Sequence, residues 1–224
     1  METLNKKVIG ISGVARSGKD TFAAILETKL KEAGKSVKKI ALAEPLKHQC
    51  DPFLTKNLGV SAFTQSTEEK NIMRPFLVWY GDAQRKRTNG RYWIDLAEKT
   101  INETNFDYYL ITDIRYDHYD RDELYWLKKE MNGTLVHISR YEDQRTRISK
   151  VSSPIAIKKF IPPANDHEMI NDPKIQKNAD FIVQWPTMLG YAEELTTNPE
   201  MVKYIEDFLQ SSVSPSEFSS GVSS

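Results

Sequence analysis

Lys7-Val8-Ile9-Gly10-Ile11-Ser12-Gly13-Val14-Ala15-Arg16-Ser17-Gly18-Lys19-Asp20-Thr21 is the stretch that decides the fold. Residues 7–12 form an apolar run that reads as a buried strand, and residues 22–30 carry the pattern of a helix. Strand, glycine loop, lysine and helix, in that order, are what a phosphate-binding P-loop requires. Gly13 and Gly18 let the backbone curl so that successive N–H groups converge on oxygen. The positive end of the following helix adds to that field. Lys19 can reach the β- and γ-phosphates of ATP as a point charge. Ala15, Arg16, Ser17, Asp20 and Thr21 complete the set expected around the nucleotide. The general pattern places Ser or Thr directly after the lysine, where the hydroxyl meets Mg²⁺. Here Asp20 stands there, and its carboxylate can hold the ion directly or through water. Thr21 keeps a hydroxyl near the α-phosphate.

The chain has 224 residues, enough for one α/β domain with a helical insertion and a real core. Residues 1–210 are read as that domain, with a substrate-binding insertion over about 50–105 and a lid over about 140–165. The serine-rich residues 211–224 read as a disordered tail. Lysine plus arginine equal aspartate plus glutamate at 31 each, so no basic excess points to nucleic acid. Cys50 is the single cysteine and has no internal disulfide partner, which fits a reducing cytoplasm, the host's if the source is viral. No stretch reads as membrane-spanning, and no signal-peptide pattern opens the sequence.

Working outward, residues 38–43 read as a second strand that Glu44-Pro45 breaks. Residues 46–54 look helical and 55–70 irregular. Residues 72–87 are helical, punctuated by Gly81 and Asn89-Gly90, and another helix runs over 92–103. A third strand spans 107–113, a helix 122–131, a fourth strand 134–139, a fifth 180–184, and C-terminal helix covers 191–194 and 199–210. Alternating strands and helices predict a P-loop NTPase fold, a five-stranded parallel sheet with helices on both faces. Ligands of such sheets sit at the carboxyl ends of the strands, where the glycine loop and Asp113 both fall.

Asp113 ends an apolar strand, as the second acidic residue of P-loop enzymes does. It is a candidate for holding Mg²⁺ through water or for meeting the substrate, or else a turn aspartate. Arg115, two places on, can grip a phosphate bidentately. Arg74 is the candidate for an acceptor's phosphate, while Arg85 reads equally as a solvated charge. Lys47 follows the tip of the second strand and so lies near the cleft. Arg140, Arg145 and Arg147 follow the fourth strand, either as lid arginines or as an exposed basic helix. Of Trp79, Tyr80, Tyr92 and Trp93, one is expected to stack on a base and the rest to be core.

The loop from Gly13 to Thr21, Leu42-Ala43-Glu44-Pro45-Leu46-Lys47, Tyr92-Trp93 and residues 107–118 together resemble the bacteriophage deoxynucleoside monophosphate kinases. Gly133-Thr134-Leu135-Val136-His137-Ile138-Ser139-Arg140 extends the match, which runs from about residue 7 to 208 and is weakest between 50 and 72. That resemblance implies transfer of the ATP γ-phosphate to a deoxynucleoside monophosphate with Mg²⁺. It assigns the loop to ATP, Asp113 and Arg115 to the reacting phosphates and Arg74 to the acceptor, beside the residue reading that gives Lys19, Asp113 and Arg115 to catalysis and Asp20 and Asp113 to the metal. It also allows a homodimer. Val78 stands where relatives often carry Gln, and Asp166-His167-Glu168 is only loosely similar to a Ser/Thr-Glu element near the fifth strand.

Animal-type phosphomevalonate kinases are similar too, through the Gly-Lys-Asp loop, the Pro-Leu-Lys turn, Trp79, Gly81, Arg85 and Asp113-Ile114-Arg115. Against their pattern, Trp79-Tyr80-Gly81-Asp82 has Tyr80 inserted. The run of Asp113, Arg115, Asp117 and His118 favours the nucleotide kinase. The alternatives are a phosphomevalonate-type small-molecule kinase and a P-loop protein that binds nucleotide without an acceptor.

Overall fold

The structure is a computed structural model, described here for residues 6–143, 158–188 and 192–212. β1 (Lys7–Ser12) leads through the glycine loop into α1 (Lys19–Glu32), then β2 (Val37–Ala41). A helical excursion follows, α2 (Glu44–Leu58), α3 (Thr67–Arg87) and α4 (Tyr92–Glu103), before β3 (Tyr108–Ile114). α5 (Glu123–Tyr125) widens into a π-helical turn (Trp126–Glu130), and β4 (Thr134–Asp143), β5 (Lys158–Phe160), α6 (Asp166–Lys177) and β6 (Phe181–Pro186) complete the sheet. α7 (Ala192–Thr196) and α8 (Pro199–Ser212) close the described chain.

Among the described residues five strands run parallel in the order β2-β3-β1-β4-β6, as the alternating sequence predicts. Short β5 is the addition: it pairs antiparallel with the far end of β4, Tyr141 facing Phe160. Because β1 and β6 occupy opposite edges of β4, β5 continues on the β1 edge, beyond the point where β1 ends.

Alternate side chains of the strands feed two cores, as the two-residue period of a strand demands. Ile9, Ile11, Tyr108, Leu110, Val136 and Ile138 meet α1 and α8 on one face. Val8, Tyr109, Ile111 and Leu135 meet α4, the α5 turn and α6 on the other. Phe22, fully buried between Trp185 and Phe208, anchors the first core, and truncating a core aromatic of this kind to alanine costs about 3–5 kcal/mol. The insertion has a small core of its own, Cys50, Leu54, Val60, Ala62 and Met73.

Several boundaries differ from the sequence reading. β2 ends at Ala41, ahead of the Glu44-Pro45 break, and α2 starts at Glu44 rather than Leu46, because proline in the first turn of a helix leaves no donor unmet. α3 begins at Thr67, where Ser66 caps it by accepting from the Glu69 N–H, and runs through Gly81, which lies beside Leu46 of α2. α6 is absent from the sequence reading, because Pro173 and a mostly polar composition hide its periodicity.

The segment expected to be a lid begins as β4 and ends beyond β5; residues 144–157, Arg145 and Arg147 included, lie outside the described residues, as do 213–224 of the tail. Among the described residues no helix is long and apolar enough to cross a membrane.

Candidate active site

The chain leaves β1 for α1 on one face of the sheet and leaves β3 for α5 on the other. The loops after these neighbouring strands therefore diverge and open a crevice at their carboxyl ends. The glycine loop forms one wall. Gly13 (φ 132°) and Gly18 (φ 93°) hold backbone conformations that disfavour side chains. Space forbids them as well. A Cβ on Gly13 would stand 2.2 Å from the Ile138 carbonyl oxygen, and one on Gly18 would stand 2.6 Å from the Trp185 ring. Trp185 also donates its indole N–H to the Ser17 carbonyl (2.8 Å), so β6 supports the loop from beneath.

Lys19 folds back over that loop and donates to the Gly13 and Val14 carbonyls, both at 2.9 Å. Burial lowers its ammonium to about 8, helped by the Arg115 charge and resisted by Asp113, Glu168 and Asp20. Ser17 is buried with its hydroxyl unpartnered, Arg16 and Asp20 are exposed, and Thr21 is half-buried.

The opposite wall starts with a bulge. Ser12 pairs with Ile114, not with Asp113, which is pushed out of register at φ 69°. A non-glycine residue held there stores on the order of 1–3 kcal/mol, and bulges of this kind re-aim side chains beside active sites. Asp113 accepts from Arg115 Nη2 at 2.8 Å. Burial alone would raise the Asp113 carboxyl, but Arg115, Lys19 and then Lys47 hold it below its ordinary value. Burial likewise opposes the charge on Arg115, whose pKa is nevertheless raised by Asp113 and Glu168.

Glu168 reaches the same place from α6. Its Oε1 accepts from the Ala15 N–H (3.0 Å) and from Arg115 Nη1 (3.2 Å), and its Oε2 from the Ala164 N–H (2.8 Å). Asn165 stands three places before Glu168 at the start of α6, in the position of a helix cap. The cap is real, Asn165 Oδ1 accepting from the Glu168 N–H, but the Glu168 carboxylate extends past it into the crevice.

The segment after β3 is shaped by buried carboxylates that sequence reasoning did not single out. Glu123 Oε2 accepts from the Arg115 and Tyr116 N–H groups (2.6 and 3.0 Å). Asp122 Oδ2 accepts from the His118 and Tyr119 N–H groups (3.1 and 3.2 Å). Arg85, fully inside, neutralises both: it donates to Asp122 at 2.7 Å, pairs with Glu123, and stacks on Tyr116 with 3.6 Å between guanidinium carbon and ring centre. Arg85, expected at a substrate, thus has an internal set of partners that ties α3 to the Asp113–Arg115 segment.

The remaining candidates divide. Lys47 lies half-buried on the first turn of α2, close enough for its charge to bear on Asp113. Arg140 stands beside Arg16, and burial together with that neighbouring charge depresses its pKa; its Nε has no partner among the described residues. Trp93 is buried and donates to the Gly81 carbonyl at 3.3 Å. Arg74 is exposed on α3, as is Trp79, which lies 6.1 Å from the Phe76 ring.

Among the described residues no three His, Cys, Asp or Glu side chains group to form a self-sufficient metal site. Mg²⁺ that arrives with a nucleotide needs only one or two carboxylates besides phosphate and water. Asp20, exposed on the first turn of α1, and Asp113 across the crevice suit that requirement.

A parallel α/β sheet with a glycine loop, an inward lysine and a carboxylate–arginine pair at adjacent strand ends has the architecture of P-loop phosphotransferases. A family model for phosphomevalonate kinase matches residues 11–133, more than half of the chain. The chain belongs to that kinase family. No curated protein matches it.

Proposed function

We propose that this protein is an ATP-dependent kinase that phosphorylates the phosphate of a small, non-nucleotide acceptor of the phosphomevalonate type, giving a diphosphate. The observation that carries this reading is the span of the family match. It runs from residue 11 to residue 133, from the end of β1 through the glycine loop, the insertion and the Asp113–Arg115 segment to the turn before β4, and so takes in both walls of the crevice that these elements form. The acceptor wall adds support. Trp93 is locked into the core, Tyr80 and Tyr92 pack edge-on against it with their hydroxyls on Gln49, and Trp79 lies on an exposed face, so none of the four is set as one wall of a buried slot for a nucleobase.

In-line phosphoryl transfer asks little covalent chemistry of the protein; positioning and charge neutralisation do the work. Lys19 would leave its loop carbonyls for the terminal phosphates of ATP. Arg115, with the unpartnered buried Nε, would meet the transferring group, and Lys47 or Arg74 the acceptor. Asp20 and Asp113 would hold Mg²⁺, which, when bound, neutralises charge on the phosphate oxygens. A deoxynucleoside monophosphate is the second reading, favoured by the Asp113-to-His118 run.

A coupled assay for ADP, with ATP, Mg²⁺ and separate arms of phosphomevalonate, each deoxynucleoside monophosphate and no acceptor, tests these readings. ADP release that depends on phosphomevalonate is expected. Turnover only with a nucleotide acceptor reverses the order of the two readings, and acceptor-independent turnover or none defeats both.

A further inference from the structure

We propose that Glu168 is a positioning residue that fixes the Arg115 guanidinium against the donor loop. The inference rests on the site being a phosphoryl-transfer centre, and it assigns a task to a residue outside the glycine loop and the Asp113–Arg115 segment. One oxygen of Glu168 takes two donors at once, the Ala15 N–H and Arg115 Nη1. The first belongs to the loop that would wrap the triphosphate and the second to the strand end beside it. The other oxygen is tied to the Ala164 N–H, so the carboxylate cannot swing away. Its side chain is 6% exposed.

The local role open to a glutamate here, capping α6, is already filled by Asn165. The contacts to Ala15 and Arg115, 153 and 53 residues distant in sequence, are therefore surplus to helix capping. From the arginine's side the fork is divided: Nη2 goes to Asp113, Nη1 to Glu168, and Nε is buried without a partner. A long side chain held by two carboxylates has lost its rotamer freedom before any phosphate arrives. That is preorganisation of the kind that raises the rate of the chemical step.

A carboxylate beside a triphosphate site carries the wrong charge for a binding group. This separates positioning from binding: neutralising Glu168 should leave ATP affinity unchanged or improved while transfer slows. A residue needed only for folding would lower affinity, transfer and melting temperature together.

The test uses the full chain and the variants Glu168→Gln, Glu168→Ala, Arg115→Ala and the Glu168→Ala/Arg115→Ala double. Glu168→Ala is expected to lower kcat about 30- to 100-fold, the scale of a misplaced catalytic group. The ATP dissociation constant by calorimetry should stay within about threefold or tighten, and Glu168→Gln, which keeps an acceptor oxygen, should recover part of the loss. In the Arg115→Ala background the same alanine change should cost less than about threefold, since the partner it acts through is gone. Losses that multiply, an unchanged kcat, or ATP affinity that falls in step with kcat would overturn the assignment.

Side-chain ¹⁵N spectra of the arginines give a second readout that needs no acceptor. Arg115 is expected to show hindered guanidinium rotation in the native chain, the fastest rotation in Glu168→Ala and an intermediate rate in Glu168→Gln, with Asp113 still holding Nη2 in all three. Equal hindrance in all of them overturns the proposal. A native chain that phosphorylates no acceptor defeats the reaction scheme alone, and the spectra then decide the Glu168–Arg115 tie on their own.

Discussion

The glycine loop and the segment from Asp113 to Tyr119 face one crevice, but the first is held mainly through its carbonyls, to which Lys19 and Trp185 donate, and the second through its N–H groups, gathered by carboxylates. Around the loop the decisive contacts are made on carbonyls: Lys19 on two, Trp185 on a third, and Gly13 close against a fourth, that of Ile138. Around the segment they are the carboxylates of Asp122 and Glu123, which gather four N–H groups, with Arg85 as their counter-ion. A loop of the first kind is encoded locally, by glycines at set spacings. A segment of the second kind depends on charges brought together by folding, and an unmatched member leaves a buried charge behind.

The largest effect that would sharpen this contrast is on stability. Arg85→Met keeps volume but strands Asp122 and Glu123, and should cost about 3–5 kcal/mol. Urea unfolding measures it, and the fraction still folded should bind ATP normally because the donor wall is untouched. A loss below about 1 kcal/mol would mean that the segment is held by something else.

Lys19→Ala should act in the opposite sense, lowering phosphoryl transfer by at least about 100-fold, the effect of losing one electrostatic stabiliser. Its melting temperature should not fall, since a buried ammonium with a depressed pKa is removed. Near-normal turnover would contradict the role given to Lys19.

Titration gives a smaller, graded effect. Because the folded-state pKa of Lys19, about 8, lies below the ordinary 10.5, burying the ammonium costs stability below about pH 8. That cost is relieved as pH rises from about 8 to about 10.5, since the unfolded chain binds the proton more tightly there. ATP needs the charged form, so its dissociation constant should be flat up to about pH 8 and then rise by up to about tenfold per pH unit. Calorimetry at pH 7 and 9, with Lys19→Met as the pH-insensitive comparison, checks this; equal affinities at both pH values would sink it.

The smallest effect is expected on the outer face of the insertion. Trp79→Ser, at a side chain 64% exposed, should change stability by no more than about 0.5 kcal/mol. A large loss of transfer with phosphomevalonate would show that this face meets the acceptor after all.

The parallel sheet and its two helical layers were legible because alternating apolar periods are local. The donor loop was legible for the same reason. Arg85 and Trp93, in contrast, offered nothing in the sequence to say which way they point. Arg85 has the spacing of a solvated helix residue, and its partners lie 37 and 38 positions away. Glu168 was hidden differently, inside a polar, proline-containing helix, and the sequence marked it only as part of the loosely similar Asp166-His167-Glu168 run. Asp113 was found as the end of a strand, yet the bulge that turns it into the crevice depends on the register between β1 and β3.

Sequence by itself therefore determined the strand–loop–helix that can receive a phosphate chain, because two glycines and a lysine at fixed spacing stand between an apolar run and a helical pattern, all of it local. Only the tertiary structure decided that Glu168 joins the Asp113 and Arg115 already marked beside it, and that Arg85 does not. Asp113, Arg115 and Glu168 meet across the crevice, and Arg85 turns inward to Asp122 and Glu123. The physical reason is that a buried charge takes its partner from whatever the packing brings within about 3 Å, not from its neighbours along the chain.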